Sequence, residues 1–153
     1  MAEENYFKIL FKETKMATIM HSPVISIQEK EPFSSVYIKF TQHKVKHLVV
    51  VDTKNRVKGL ITLRDLYSVR APKRAEDGTL FYDLDDLDRF ILSRVMTPNP
   101  ATFHAEDNVG DAIIKMGEHG YGCIPIVDND GIVIGIITRS DVIKIISKVL
   151  TIQ

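Results

Sequence analysis

The chain carries the same sequence pattern twice, at an offset of 76 residues. Residues 20–65 align with residues 96–141 without a gap, and the clearest match pairs GLITLRD (59–65) with GIITRSD (135–141). The identical residues include Met20/Met96, Lys39/Lys115, His43/His119, Val51/Val127, Asp52/Asp128, Val57/Val133, Gly59/Gly135, Ile61/Ile137, Thr62/Thr138 and Asp65/Asp141. A repeat of this length predicts two copies of one supersecondary unit, each too small to bury its apolar faces alone.

Each copy has the same order of local signals. A short extended piece (24–27 or 101–103) and a turn-rich segment precede a helix whose apolar residues are spaced by three and four positions. The next runs, HLVVVD and CIPIVD, are continuously apolar, which is typical of strands covered on both faces. A turn, a further strand and a second helix, which starts at Thr62 or Thr138, complete the copy. The predicted fold is α+β, with two pseudo-symmetric β-α-β-β-α units packed through their sheets.

Two segments lie outside the predicted units, which span residues 18–69 and 95–149. Residues 1–17 are predicted to form an N-terminal helix that docks on the module, or on a second copy of the chain, by the face that carries Phe7, Leu10 and Phe11. Residues 70–94 are a linker with a predicted helix over 83–94, whose inward residues are Leu84, Leu87, Phe90 and Ile91.

The acids of this linker helix permit a cation site, but they have a simpler explanation. Acids in the first turn of a helix normally cap it and complement its dipole. The residues concerned are Asp83, Asp85, Asp86 and Asp88. No metal is predicted there.

The bulk composition limits the classes of function. Apolar residues make up 44% of the 153 residues, enough for a folded, soluble protein. Lys plus Arg and Asp plus Glu number 20 each, which argues against nucleic-acid binding, because that affinity comes largely from phosphate neutralisation. The apolar runs are far shorter than the roughly 20 residues that cross a bilayer, and the start lacks the apolar region of a signal peptide. With Cys123 as the only cysteine, a reducing cytoplasm is the expected location.

The Thr-x-x-Asp motif that ends each repeated stretch permits two roles. An ionised carboxylate can accept hydrogen bonds from both neighbouring hydroxyls of a ribose, which suits Asp65 and Asp141. Thr62 and Thr138 lie where a strand leads into a helix, so hydroxyl and backbone N–H groups could face a phosphate, and the repeated glycine leaves room for close approach. The same spacing is nearly a helix capping box, with threonine as N-cap and the acid at the third helical position. Both roles can coexist, because an acid there can cap until a ligand arrives.

These paired motifs resemble a tandem pair of cystathionine-beta-synthase (CBS) domains, an arrangement often called a Bateman module. The resemblance covers roughly residues 18–148 and rests on IMHSPVISI and VMTPNPATF, on HLVVVD and CIPIVD, and on the two stretches quoted above. It implies adenosine-containing ligands, namely AMP, ADP, ATP or S-adenosylmethionine, in clefts between the two units. It also implies flat, disc-like homodimers.

The resemblance further implies which residues line each cleft. The first cleft would use Thr62, Asp65, Lys46 and His47 on the ribose and phosphate side, and Thr97, Thr102 and Tyr121 around the adenine. The second would use Thr138, Arg139, Ser140 and Asp141, with His21, Ser26 and Val45 around the adenine. In the first cleft, His47 occupies the position where some family members have a phosphate-binding arginine. In the second cleft, Cys123 occupies the equivalent position. A phosphorylated ligand is therefore expected to prefer the Asp65 cleft, the Asp141 cleft being empty, weaker or suited to a less charged adenosine compound unless Arg139 supplies a charge.

Two further patterns permit other chemistry. His43 and His47 have the spacing of a zinc pair on one helix face, but the helix is expected to end near His43. Cys123 could be a nucleophile if a histidine activated it, yet its place before a buried strand favours a packed apolar role. The sequence contains no paired catalytic carboxylates and no glycine-rich phosphate loop, so no enzymatic activity is predicted.

The leading hypothesis is a regulatory module in which a bound adenine nucleotide changes the packing of the units or the geometry of a homodimer. An effector protein of unknown identity would respond to that change. The second hypothesis is a ligand-free dimerisation or scaffold protein whose Thr-x-x-Asp motifs only cap helices. Neither nucleic acid nor membrane is an expected partner.

Overall fold

The computed structural model describes the backbone of residues 2–151 and the side chains of residues 6–151. Met1 of the predicted N-terminal segment lies outside the described residues. The helices are α1 (Ala2–Glu13), α2 (Met16–Ile19), α3 (Ser34–His43), α4 (Leu63–Val69), α5 (Leu84–Leu87), α6 (Leu92–Val95), α7 (Val109–His119) and α8 (Arg139–Thr151). The strands are β1 (Ser26–Gln28), β2 (His47–Val51), β3 (Val57–Thr62), β4 (Lys73–Arg74), β5 (Leu80–Phe81), β6 (Thr97–Pro98), β7 (Cys123–Val127) and β8 (Val133–Thr138).

The chain divides into two compact units. The central unit is Ile25–Pro100, and the terminal unit joins the segment up to Val24 to the segment from Ala101 onward. Each unit has its own core of buried apolar side chains.

The central unit is built on a four-stranded sheet in the order β1-β2-β3-β6. β1 runs parallel to β2, and β3 is antiparallel to both β2 and β6. Leu48–Val51 are all buried, which confirms the prediction of a strand covered on both faces. Val36 and Phe40 of α3 and Leu66 of α4 share one core with this strand, as their helical spacing predicted.

The terminal unit is built on the β7–β8 hairpin. Phe103 adds a parallel bridge to Ile126, and α7 contributes buried side chains to the same core. The predicted docking of the N-terminal helix on the module is confirmed, because α1 packs against α7 and Phe11 lies against this core.

The two sequence repeats exchange their first segments. Thr97, near the start of the second repeat, pairs with Leu60 in β3 of the first repeat. His21, near the start of the first repeat, pairs with Ile136 in β8 of the second, and the two residues exchange N–H to carbonyl hydrogen bonds of 2.9 and 3.1 Å. The compact units are therefore offset from the sequence repeats.

The prediction of one continuous helix over residues 83–94 is wrong. The chain forms two short helices, α5 and α6, and Ile91 between them is extended, with φ −105° and ψ 120°. The interruption allows both Leu87 and Leu92 to reach the core of the central unit. Leu84 and Ile91, which were predicted to face inward, are exposed.

The acids of this linker have structural partners. Asp83 accepts hydrogen bonds from two backbone N–H groups of α5, so its predicted capping role is confirmed. Asp88 accepts the N–H of Ser34 at 2.8 Å. Asp86 accepts two hydrogen bonds from the guanidinium of Arg70, at 2.5 and 2.6 Å, and these bonds lower the pKa of Asp86.

Candidate functional site

Thr62 and Asp65 form a capping box at the start of α4. The Thr62 hydroxyl accepts the Asp65 N–H at 3.2 Å, and Oδ2 of Asp65 accepts the Thr62 N–H at 2.7 Å. The Thr62 hydroxyl also donates to the same carboxylate oxygen at 3.0 Å. The capping interpretation of the motif is confirmed here, and the box holds the carboxylate in a half-buried position at the strand-to-helix junction.

The equivalent acid, Asp141, is held differently. Its Oδ2 accepts the N–H and the hydroxyl of Thr138 at 2.8 and 3.0 Å. Its Oδ1 contacts Nε2 of His21, and the two form an ion pair when the imidazole is protonated. Asp141 is only 4% exposed. His21, which the family resemblance places beside an adenine, thus contacts the carboxylate that the same resemblance assigns to a ribose.

Residues 21 and 97 explain this difference between the two acids. They are equivalent in the repeat, and Thr97 pairs with Leu60 just as His21 pairs with Ile136. A threonine side chain is short and neutral, so Thr97 cannot form an ion pair with Asp65. The signal for this asymmetry is present in the sequence, but only once the two positions are compared.

The residue opposite each threonine also differs. His47 lies opposite Thr62 in the β2–β3 pairing, and Cys123 lies opposite Thr138 in the β7–β8 pairing. Directly opposed residues of antiparallel strands have Cβ atoms about 4.5–5.5 Å apart and side chains on the same face. An imidazole therefore borders the Thr62 junction, whereas a buried thiol borders the Thr138 junction. Burial of Cys123 confirms its predicted packed role.

Arg139 is held at the C-terminal end of α7. Its Nε donates to the carbonyl of Tyr121 at 3.2 Å, and its Nη2 donates to the carbonyl of Gly120 at 2.5 Å. Carbonyls at the end of a helix favour a cation. The ring of Tyr121 in turn stacks on His119, with ring centroids 5.1 Å apart. In this structure the Arg139 guanidinium is therefore hydrogen-bonded to backbone carbonyls of the terminal unit.

The space beside the repeated glycines is filled by methionine. A Cβ built on Gly59 would lie 2.5 Å from Sδ of Met96 and 2.9 Å from the carbonyl of Thr97. A Cβ built on Gly135 would lie 2.5 Å from Sδ of Met20. The expected close approach is present, but the approaching group is another segment of this chain. The same kind of contact in each repeat thus explains why both the methionine and the glycine are identical in the two copies.

The remaining residues that the resemblance assigns to the clefts are divided between the units. Val45 and Lys46 lie in the loop between α3 and β2, and Ser26 begins β1, all in the central unit. Ser140 is the second residue of α8, and Thr102 is the second residue of the segment that begins at Ala101 in the terminal unit; both are exposed. Their part in a ligand site stays a prediction.

The described part of the chain contains neither a metal cluster nor a membrane-spanning helix. Among the side chains of residues 6–151, no three histidine, cysteine, aspartate or glutamate residues are grouped as a metal site requires. Between residues 2 and 151, no helix combines the length and the apolar character that crossing a membrane would need.

The sequence matches the CBS domain family model at two places, residues 16–71 and residues 92–148. The chain belongs to the CBS domain family. Both Thr-x-x-Asp motifs lie inside the matched segments, one in each, so the predicted tandem CBS pair and its α+β fold are confirmed.

Solved CBS pairs have a similar fold. The CBS domain pair of protein MJ0100, in complex with 5-methylthioadenosine and S-adenosyl-L-methionine, has a TM-score of 0.72 and 23% identity, covering 88% of this chain and 97% of that chain. The protein CBSX2 in complex with AMP has a TM-score of 0.71 and 20% identity, covering 90% of this chain and 98% of that chain. At these identities the likeness shows the fold alone.

One curated relative is much longer than this chain. Homoserine O-acetyltransferase of Methanococcus vannielii is 27% identical over 135 residues, which cover 88% of this chain. The chain spans only about a quarter (25%) of the length of that enzyme.

Proposed function

We propose that this CBS pair is a regulatory module that binds an adenosine-containing ligand, namely AMP, ADP, ATP or S-adenosylmethionine, and that it has no catalytic activity of its own. The observation that carries the proposal is the Thr62 junction, where the capping box fixes a half-buried Asp65 and His47 lies opposite the threonine. The AMP and S-adenosyl-L-methionine complexes of two CBS pairs with this fold support the ligand class.

Asp65 is suited to a ribose because the capping box uses only part of its capacity. A carboxylate has two oxygens with about four acceptor positions, and the hydrogen bonds of the box involve Oδ2. Two neighbouring ribose hydroxyls can therefore donate to Asp65 while the cap stays intact. Hydrogen bonds to a charged group contribute about 1.5–3 kcal/mol each.

We assign the other contacts of this site from the family resemblance. His47 and Lys46 would supply positive charge to a phosphate, and Thr97, Thr102 and Tyr121 would contact the base. The position of His47 opposite Thr62 supports the first of these assignments.

The Asp141 site is proposed to be the weaker of the two. A ribose there would have to displace His21 from Oδ1, and Cys123 supplies no charge at the place that His47 occupies in the other repeat. Arg139 is held by two backbone carbonyls. Ser26, Val45, Thr138 and Ser140 complete the set that the resemblance assigns to this site.

Regulation requires that the ligand bind one arrangement of the protein more tightly than another. We propose that the arrangement in question is the packing of the module or the geometry of a homodimer in the cytoplasm, and that an effector protein responds to it.

Thermal unfolding with AMP, ADP, ATP and S-adenosylmethionine tests the proposal. A ligand at 100 times its dissociation constant should add about 2.7 kcal/mol to the free energy of unfolding. The best ligand is then titrated by calorimetry into three variants, Asp65→Ala, Asp65→Glu and Asp141→Ala. We expect at least a tenfold loss of affinity for Asp65→Ala, because two charged hydrogen bonds disappear, and a smaller loss for Asp141→Ala.

The Asp65→Glu variant separates ligand binding from helix capping. Glutamate is the usual acid of a capping box, so the midpoint of thermal unfolding should be retained, while the longer side chain displaces the carboxylate from the ribose. Affinity for Asp65→Glu equal to that of the wild type would contradict the assignment of Asp65. Equal losses from the Asp65→Ala and Asp141→Ala changes would contradict the asymmetry.

A second candidate function is that of a ligand-free scaffold. The specific observation in its favour is that both acids already have structural partners, the Thr62 box for Asp65 and the Thr138 and His21 contacts for Asp141. If none of the four ligands raises the midpoint of unfolding, the scaffold is the better description.

A further inference from the structure

A cavity of about 320 Å³ lies within the central unit, between α3 and α4. The loop between α3 and β2 forms one end of it, and the β4–β5 hairpin forms another wall. This volume is at the lower end of the range of small-molecule sites, which is about 300–1,000 Å³. The family resemblance assigns only Val45 and Lys46 of this lining to nucleotide contacts, and none of the other lining residues.

The β4–β5 hairpin, which lines part of the cavity, lies outside the two repeated segments. It belongs to the linker, residues 70–94, which lies outside the repeat and occurs once in the chain. Residues of α3 and α4 line two sides of the cavity, and Pro72, Leu80 and Phe81 of the linker line a third. The cavity is therefore a property of this linker.

The wall of the cavity is apolar and rich in aromatic rings. Tyr82 is 9% exposed, its ring meets that of Tyr37 with centroids 5.2 Å apart, and its hydroxyl donates to the carbonyl of Arg70 at 2.7 Å. Burial raises the pKa of Tyr82 to about 12, so the hydroxyl stays protonated at neutral pH. Tyr67 and Phe81, which also line the cavity, are 50% and 40% exposed. Large apolar side chains are thus left partly open to solvent around one hollow.

The charge of the lining has one sign. Lys44 and Lys46 are its only charged residues, no acid contributes to it, and both lysines are exposed. Among the side chains of residues 6–151, no carboxylate lies within 4.0 Å of the ammonium group of either lysine. The apolar hollow is therefore paired with two ammonium groups that have no structural counterion.

Lys44 occupies a backbone conformation that favours glycine. It ends α3 with φ 52° and ψ 38°, in the left-handed region. The equivalent residue of the second repeat is Gly120, with φ 69°, as is usual for a residue that ends a helix in this conformation. The backbone of a lysine is strained in this conformation, and backbone strain of this kind is concentrated at functional sites. It is an observation on Lys44 that is independent of the cavity.

We propose that this cavity binds a compact amphipathic anion, a carboxylate with an apolar body of about ten non-hydrogen atoms, whose head group is held by Lys44 and Lys46. The small size follows from the volume, which is near the lower bound of about 300 Å³ for small-molecule sites. The apolar body would contact the rings of Tyr37, Tyr67 and Tyr82. This site shares Lys46 with the nucleotide site proposed above, but Lys44 and the three rings belong to it alone, so it does not depend on that proposal.

Octanoate, with ten non-hydrogen atoms, is the probe that tests this site. It is titrated into the full chain labelled with ¹⁵N, and amide chemical shifts are followed. We expect saturable shifts confined to α3, α4, the loop between α3 and β2, and β4–β5. The uncharged 1-octanol and the cationic octylamine, which have the same apolar chain, should bind at least about threefold and tenfold more weakly, respectively.

The Lys44→Gly variant makes the test independent of folding defects. Glycine suits the left-handed conformation, so the midpoint of thermal unfolding should rise or stay constant while octanoate affinity falls about threefold. The double variant Lys44→Gly/Lys46→Ala should lose about tenfold, and Lys58→Ala, an exposed lysine of β3 outside the lining, should lose nothing. Thr41→Trp, which places an indole at an exposed lining position, should block binding.

Four outcomes would overturn the proposal. They are shifts outside these elements, equal affinity for octanoate and 1-octanol, unchanged affinity of the double lysine variant, and a homodimer that covers Tyr67 and Phe81 and excludes octanoate. Octanoate binding that persists in Asp65→Ala, together with nucleotide binding that persists in Lys44→Gly, would show that the two sites succeed or fail separately.

Discussion

Residues 21 and 97 occupy equivalent places in the two repeats, and the side chain at that place decides how accessible each acid is. His21 pairs with Asp141, whereas the neutral Thr97 leaves no such ion pair for Asp65. The difference comes from a single position, so it can be exchanged without disturbing the capping motifs.

We expect His21→Thr to strengthen ligand binding at Asp141. The change removes the group that competes for Oδ1 of the buried Asp141, and a hydrogen bond to a charged group contributes about 1.5–3 kcal/mol, so affinity should rise roughly tenfold or more. The measurement is calorimetric titration in an Asp65→Ala background, so that only the second site responds.

The reciprocal change, Thr97→His in an Asp141→Ala background, is the control. It should weaken binding at Asp65, because a histidine would then compete for that carboxylate. If His21→Thr lowers affinity instead, His21 contacts the ligand, as the family resemblance implied, and does not act as a competitor.

At the scale of elements, the first segment of each repeat packs closely on the hairpin of the other. Gly59 of β3 accommodates Met96 and the backbone of Thr97, and Gly135 of β8 accommodates Met20. The contact at Gly59 includes a backbone carbonyl at 2.9 Å, whereas the two nearest atoms at Gly135 belong to a flexible methionine side chain.

Gly59→Ala is therefore expected to destabilise the protein by about 1–3 kcal/mol, the usual cost of overpacking, and Gly135→Ala by less. Chemical denaturation measures both. Gly117→Ala is the matched control: this glycine lies within α7 with no atom near its Cβ direction, so alanine should stabilise the helix by roughly 0.5–1 kcal/mol. A neutral Gly59→Ala would show that β3 and β6 separate easily.

The Arg70–Asp86 pair joins the end of α4 to α5 and makes stability depend on pH. The hydrogen bonds from Arg70 lower the pKa of Asp86 from its ordinary value of 3.8. A lowered pKa in the folded state means that the stabilisation is complete above pH 3.8 and is lost as the pH falls through the lowered value. The difference in unfolding midpoint between wild type and Asp86→Asn should be largest at neutral pH and should shrink as the pH falls below 3.8.

Asp130→Asn, which removes an exposed acid of the turn between β7 and β8, controls for the change in net charge. A difference between wild type and Asp86→Asn that persists unchanged in acid would mean that packing, not the ion pair, is responsible.

At the scale of the whole molecule, the place of a residue in the sequence does not tell which core it belongs to, because the two repeats exchange their first segments. Met16 precedes the first repeat, yet it is fully buried in the core of the terminal unit, which contains the second repeat's hairpin. The segment before the first repeat therefore stabilises the second.

We expect Met16→Ala to cost about 2–5 kcal/mol and to reduce hydrogen-exchange protection in β7–β8 more than in β2–β3. Hydrogen exchange followed by mass spectrometry measures both hairpins in one sample. Val36→Ala, a truncation at a fully buried position of the central core, should show the opposite pattern. If both variants lost hydrogen-exchange protection mainly in β2–β3, the inference that the repeats exchange their first segments would be contradicted.

The sequence by itself determined the duplicated α+β fold, the hairpins and the capping motifs. These features depend on short-range periodicity and turn chemistry, which each repeat contains in full: Leu48–Val51 are buried as their apolar run predicts, and Thr62 and Asp65 cap α4 as their spacing predicts. The predicted helix over 83–94 failed because apolar spacing within a segment does not specify how that segment packs on a core, in which Leu87 and Leu92 are both buried.

Only the tertiary structure decided the ion pair of His21 with Asp141, the seating of Met96 on Gly59, and the cavity that the linker hairpin lines. Each of these joins residues that are distant in the chain. Local patterns specify which face of an element is apolar, but the partner of that face is set by packing, because hydrophobic attraction has no direction of its own.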